Sequence, residues 1–251
     1  MSDKGDLERR AAKGDAEAMA NLGLLAHEAG DEDAARAWWE QAATLDDPDA
    51  MYRLGVLARQ AGDMDVARAW WEQAATLDDP DAMFKLGALA KEAGDMDAAR
   101  AWYEKAAKLD NPDAMFHLGV LARQAGDLDA ARAWCEQAAT LDQPDAMINL
   151  GVLADEEGDL DAARTWCEQA AKLGHPDAMF RLGLLAYEEG DEDAARTWYE
   201  QAAKLDNPDA MFFLGLLAEE AGDMAVARVW YEQAAALGNT DAIEALLREL
   251  G

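Results

Sequence analysis

The chain repeats itself, and that constrains its fold more than any single motif does. Residues 46–77 read DDPDAMYRLGVLARQAGDMDVARAWWEQAATL. Copies follow from Asp78, Asp110, Asp142, Gly174 and Asp206, each 32 residues on, and an earlier copy fills 14–45. Seven copies at a fixed period mark a stacked array whose units cannot bury their apolar faces alone. The period overrides the one or two globular domains that 251 residues otherwise suggest.

Each copy reads as two helices. In the second, Asp47 is placed to cap free N–H groups, Pro48 takes the first helical position, and Asp49 favours the positive end of the dipole. Ala50, Met51, Leu54, Leu57 and Ala58 then form a stripe of helical period. Gly62 suits a left-handed stop, and Asp63 caps the next helix, whose apolar positions are Ala67, Trp70, Trp71, Ala74 and Ala75. Turns this short force an antiparallel hairpin.

The expected organisation is a capping helix fragment in 1–13, helical over 7–13. Hairpins follow at 14–45, 46–77, 78–109, 110–141, 142–173, 174–205 and 206–237, and a polar capping helix takes 238–251. In that last piece Glu244, Arg248 and Glu249 stand where Tyr52, Val56 and Leu57 stand earlier.

Comparing the copies separates fixed positions from free ones. Leu54, Gly55, Leu57, Ala67, Arg68, Trp70, Glu72, Ala74 and Ala75 recur in all seven. A glycine inside a helix costs about 1 kcal/mol against alanine, so its recurrence predicts close approach of a facing helix, with the small Ala67 as neighbour. Arg68 and Glu72 have the spacing of a helical ion pair. Cys135 and Cys167 replace an aromatic at one position of adjacent copies and read as buried, unbridged thiols in a reducing compartment. The tryptophan pairs Trp38-Trp39 and Trp70-Trp71 read as packing.

Leu54-Gly55, Ala58, Ala67, Trp71 and Ala74 have a spacing that resembles the tetratricopeptide repeat signature, although Met51 replaces its usual tryptophan and the period is two residues shorter. The run 166–183, WCEQAAKLGHPDAMFRLG, is similar to the Sel-one-like repeat. Trp198-Tyr199 supplies that family's aromatic pair one copy later, Cys167 breaks it here, and the usual hairpin insertion is absent. The resemblance covers 14–251. It implies an all-α, right-handed superhelical α-solenoid whose concave wall is lined by the first helix of each repeat. It also implies a protein-interaction scaffold without chemistry of its own.

On that resemblance, the positions equivalent to Tyr52, Arg53, Val56, Arg59 and Gln60 face the groove. One row reads Asn21, Arg53, Lys85, His117, Asn149, Arg181, Phe213, and another His27, Arg59, Lys91, Arg123, Asp155, Tyr187, Glu219. Copies two to four are basic in both rows. This predicts a segment that holds acidic groups or a C-terminal carboxylate of a peptide or protein ligand. The bland reading is helix self-stabilisation through Asp49–Arg53, Asp81–Lys85 and Asp177–Arg181. Tyr52, Phe84, Phe116, Phe180 and Phe212, with Ile148 in the gap, are either apolar anchors for a ligand or core wedges between first helices.

Composition narrows the partners. The net charge is −30, from 52 acidic and 22 basic residues. That opposes nucleic acid and anionic membrane surfaces and favours solubility. There is no apolar run of membrane-spanning length and no apolar core of a signal peptide near the start. The two unbridged cysteines point to a cytoplasmic location, and both terminal pieces are polar enough to oppose association through the array ends, so a monomer is expected. His27, His117 and His175 occupy different repeat positions, Ser2 is the only serine, and Cys135 has no evident histidine partner. The aspartate clusters lack a calcium-loop pattern and read as caps. Hence no enzyme, metal or cofactor is expected. Two other classes stay open: a structural array, engineered or recently amplified, without a specific ligand, and an acidic mimic of nucleic acid that binds a basic protein.

Overall fold

The computed structural model describes residues 4–249; Ser2 lies outside them. Among the described residues there are sixteen helices and no strand. They fall into two compact units, Met1–Asp127 and Leu128–Gly251. The first unit holds α1 (Lys4–Ala11), α2 (Ala16–Glu28), α3 (Glu32–Ala43), α4 (Pro48–Gln60), α5 (Met64–Ala75), α6 (Pro80–Glu92), α7 (Met96–Ala107) and α8 (Pro112–Gln124). The second holds α9 (Leu128–Ala139), α10 (Pro144–Glu156), α11 (Leu160–Lys172), α12 (Pro176–Glu188), α13 (Glu192–Ala203), α14 (Pro208–Glu220), α15 (Met224–Ala236) and α16 (Thr240–Glu249).

Within the first unit α2–α3, α4–α5 and α6–α7 pair as hairpins, and the second helix of each also packs on the next first helix. The second unit repeats this with α10–α11, α12–α13 and α14–α15. The signals read from the sequence account for the boundaries. The Asp47 carboxylate accepts the Ala50 N–H at 2.8 Å, and proline opens every first helix from α4 to α14. Gly62 turns the chain at φ +85°. Asp63 departs from expectation: it precedes α5 without a side-chain cap bond, whereas Asp95 and Asp159 cap α7 and α11. The first helix also sits earlier than expected, at Lys4–Ala11, because the Lys13 and Gly14 amides fold back onto the Arg10 and Ala11 carbonyls in a closing turn.

Not all the clustered aspartates cap. Asp46, Asp78, Asp110, Asp142 and Asp206 lie at φ of 57–59°, in the left-handed region, where Gly14, Gly174 and Gly238 stand in other copies. They link one hairpin to the next. The internal swap of aspartate for glycine at this position was the available signal, since both tolerate that conformation better than other residues do.

Rings explain the helical glycines, and this corrects the expected Ala67 neighbour. A Cβ on Gly55 would stand 2.6 Å from Trp71 Cδ1, and one on Gly87 2.6 Å from Tyr103 Cδ1. Gly23, Gly183 and Gly215 face Trp39, Tyr199 and Tyr231 in the same way. Ala67 is buried, but the ring sixteen residues after the glycine takes the space against it. Trp39 and Trp71 are completed by Nε1 hydrogen bonds of 3.1 Å to the carbonyls of Ala20 and Tyr52. Gly151 is different: the residue opposite is Cys167, and its Sγ lies 3.0 Å from the added Cβ position.

Candidate ligand-binding surface

In the first unit, neighbouring first helices enclose a cavity of about 220 Å³ between α2 and α4, with Trp39 in its lining and His27, Tyr52, Arg53, Val56 and Gln60 around it. Five of these, His27, Tyr52, Arg53, Val56 and Gln60, are stripe positions read from the sequence. The Arg53 Nε donates to Asp49 at 2.8 Å, and its Cζ lies 5.9 Å from the centre of the Trp39 ring. Burial, followed by the charges of Asp81 and Asp79, raises the Tyr52 pKa, so its phenol is neutral at physiological pH.

The next helices extend the same row. Arg59 donates to Glu92 at 2.9 Å across α4 and α6. Lys85 holds its Nζ 5.2 Å from the Phe84 ring centre. His117 stacks on Tyr103 at 5.3 Å and on Phe84 at 5.4 Å, with Phe116 5.2 Å away on its own helix. Lys91 and Arg123 are half-buried one turn further on.

Two of the three proposed self-stabilising ion pairs do not form. Asp49 pairs with Arg53, but Asp81 accepts the Asn111 Nδ2–H at 2.8 Å and Asp177 that of Asn207 at 2.7 Å. Those asparagines lie at the start of the following first helix, thirty residues on, and their caps bring them onto the aspartates. Among the described residues Lys85, Lys91 and Arg181 have no carboxylate at ion-pair distance. The Arg68–Glu72 spacing is used at Arg228–Glu232, at 2.9 Å. Arg132 and Arg164 instead reach Glu157 and Glu189 at the end of the next first helix, each at 2.6 Å.

The aromatic row is both wedge and lining. Phe84, Phe180 and Phe212 are half-buried against Tyr103, Tyr199 and Tyr231, at 5.6–5.8 Å between ring centres. Tyr52 also lines the cavity beside α2, and Phe212 lines one of about 450 Å³ beside Leu216, Tyr231 and Arg248. The tryptophan pairs divide: Trp39 and Trp71 are buried, while Trp38 and Trp70 are half-buried. Sequence reading missed the outer clefts this leaves, one of about 240 Å³ among Arg68, Glu72 and Trp102, with Lys105 Nζ 3.9 Å from the Trp102 ring centre.

In the second unit the same rows read differently. Asn149, Arg181 and Phe213 are half-buried, and Phe213 packs 5.4 Å from Phe180 and 5.5 Å from Tyr199. Tyr187 is exposed and donates to Glu220 at 3.3 Å; Tyr231 donates to Glu219 at 2.7 Å. Cys135 and Cys167 are buried and outside any disulfide, and burial pushes the Cys167 pKa up to about 11, so it stays protonated. Among the described residues no helix is long and apolar enough to cross a membrane.

Tetratricopeptide repeat models match residues 39–82, 52–114, 84–146, 137–174, 150–209 and 199–242, and also 16–41. A Sel1 repeat protein from Oxalobacter formigenes is 28% identical over 98% of this chain and 79% of its own, with a TM-score of 0.72. A protective antigen present in uropathogenic Escherichia coli strains, displaying an SLR fold, shares the fold at TM-score 0.73 and 24% identity, over 96% of this chain. This chain spans 58% of that antigen's length. No curated protein sequence matches. With repeat matches running through both units and ring-on-glycine hairpins beneath them, the chain belongs to the tetratricopeptide repeat family.

Proposed function

We propose that the face of the first unit formed by α4, α6 and α8 binds a protein segment bearing acidic side chains or a free C-terminal carboxylate. The chain is then an interaction scaffold rather than an enzyme. Repeats of this family are in general protein-interaction modules. The observation that carries the finer reading is that Lys85 and Lys91 are left without carboxylate partners in a chain of net charge −30. They stand among half-buried aromatics, with Arg53, Arg59, His117 and Arg123 on the same rows. Long-range repulsion from the acidic surface disfavours an acidic ligand, so binding rests on this local reversal of sign and on a helix framework that is already ordered. Two buried cysteines outside any disulfide fit a reducing cytoplasmic setting.

The test is fluorescence anisotropy with a labelled acidic peptide that ends in a free carboxylate, beside the same peptide amidated. Lys85→Glu with Lys91→Glu is expected to weaken binding at least tenfold while leaving the circular dichroism spectrum unchanged. Amidation separates recognition of the terminus from recognition of side chains. Equal binding by wild type and variant, or binding by neither, overturns the proposal.

A further inference from the structure

We propose that the second unit holds a lysine side chain of a basic partner segment in the cavity between α14 and α16, with its stem on Phe212 and Leu216 and its ammonium at Glu219 and Glu220. Each first helix covers the ring of the preceding hairpin with one side chain. Arg53 lies over Trp39, His117 over Tyr103 and Phe213 over Tyr199. No residue of that row from Asn21 to Phe213 is as short as alanine, but its eighth member, on α16, is Ala245. Between α12 and α14, Phe180, Tyr199 and Phe213 form a cluster of three rings with centres 5.4–5.8 Å apart. Between α14 and α16 the equivalent Phe212 and Tyr231 keep their contact at 5.6 Å, and Ala245 stands where the third ring would. A cavity of about 450 Å³ results, with Phe212, Leu216 and Ala245 in its lining and Glu219 and Glu220 at its edge. It has room for a lysine side chain without displacing any residue.

Charge selects the occupant. The last turns of α4, α6 and α8 carry Arg59, Lys91 and Arg123, as the negative end of a helix dipole favours. α14 ends instead in Glu219 and Glu220, where the dipole disfavours carboxylates and the capping that explains the aspartates does not apply. Tyr231 and Tyr187 hold these carboxylates with hydroxyl hydrogen bonds of 2.7 and 3.3 Å. Among the described residues neither glutamate has a cation at ion-pair distance. Arg248 stands on the α16 wall, and the lining still carries net negative charge. Phe212, Leu216, Glu219 and Glu220 follow one another at i, i+4, i+7 and i+8 along one face of α14. A lysine therefore lies along the helix rather than end-on. Its methylenes cover the half-buried Phe212 and Leu216, while the ammonium stays at the exposed glutamates and keeps part of its hydration. The net charge of −30 draws a basic segment toward the surface.

This site is independent of the acidic-ligand surface proposed for the first unit. Its probe is N-acetyl-lysine amide, titrated into the full chain at physiological salt by ¹⁵N-resolved NMR. N-acetyl-norleucine amide supplies the stem without the charge. Saturable shifts at the amides of Phe212, Leu216, Glu219 and Ala245 are expected, with the lysine probe about threefold tighter or better. Glu219→Gln with Glu220→Gln should remove that preference. Glu40→Gln with Glu72→Gln, the same change of charge at exposed positions of α3 and α5, should leave it intact. Ala245→Phe supplies the third ring and should abolish binding of both probes, with Ala245→Leu as the second filling variant if the ring is poorly placed. Shifts that do not saturate, a lysine preference that falls equally in both glutamine pairs, or binding that survives in both filled variants overturns the site.

Discussion

The two units run the same repeat with different choices at the positions that meet between helices. In the first, the hairpins α2–α3, α4–α5 and α6–α7 each close over a glycine with a tryptophan or tyrosine, and the largely half-buried rows on α4, α6 and α8 are basic. In the second, α10–α11 closes with a cysteine, and the rows mix Asn149, Arg181 and Phe213 with Asp155, Tyr187 and Glu219. The backbone is indifferent to this exchange, since caps of the kind Asp47 makes on α4 and Asn207 on α14, and left-handed turns, recur in both. A repeat of this kind thus separates what stacks the helices from what faces outward. One substitution, ring to cysteine, leaves a void of about 60 Å³ beside Gly151.

The sharpest way to break this comparison is to add one carbon at each glycine. Gly55→Ala drives a Cβ into the Trp71 indole and is expected to cost about 1–3 kcal/mol through overpacking. Gly151→Ala meets Cys167 Sγ at 3.0 Å and the Ala163 carbonyl at 3.3 Å, a tight fit offset by the helix-propensity gain of about 1 kcal/mol. It should stay within about 1 kcal/mol of wild type. Urea midpoints of the two variants decide the point; equal losses would mean that the cysteine hairpin is as full as the others.

A second, smaller effect converts a junction of the first unit into the form used in the second. Asn207 caps α14 and donates to Asp177, whereas Asp79 caps α6 and places its carboxylate near that of Asp49. Burial, then the charges of Asp81 and Asp49, raises the Asp79 pKa above the ordinary carboxylate value, against the opposing Ala82 N–H bond. A raised folded-state value means that stability is fullest below the ordinary pKa and falls as pH rises through the folded one. Asp79→Asn keeps the cap, removes the charge and supplies a donor to Asp49. It should stabilise by about 1 kcal/mol at neutral pH. The gain should fade below about pH 4, where both states carry the protonated acid. Thermal melts from pH 3 to 7 test the sign.

The smallest effect concerns the links between hairpins. Asp78 sits at φ +59°, where Gly174 of the second unit sits at +82°. Asp78→Gly relieves left-handed strain but adds freedom to the unfolded chain, for a net gain of about 0.5 kcal/mol. A loss of stability would show that the Asp78 side chain does more than tolerate the turn.

Much of the fold was legible because its determinants are local. Asp47, Pro48 and Gly62 act within a few residues of themselves, and their placement marks the helix ends without reference to the rest of the chain. The stripe holding Tyr52, Arg53, Val56 and Gln60 was legible as a set of free positions, and the structure brings these four to one cavity. What escaped were pairings between elements. Gly55 showed that something comes close but not that Trp71 does, because which residue of α5 crosses at Gly55 depends on the angle at which the hairpin closes. Asp81 and Lys85 have the spacing of a helical ion pair, yet a neutral asparagine on the next first helix wins the aspartate. It does so because the cap at Asn111 fixes that side chain in place, while Lys85 must give up rotamer freedom to compete.

The sequence by itself therefore determined the helical hairpins and their ends, though not those of the first helix, their amphipathic faces and the family, since period, caps and stripes are set by short-range sterics and hydrogen bonding. Tertiary structure alone decided which ring fills which glycine, which cations keep a partner, and where a missing ring leaves space. Those outcomes depend on contacts between residues sixteen to thirty apart, and only the packed hairpins bring such residues within reach.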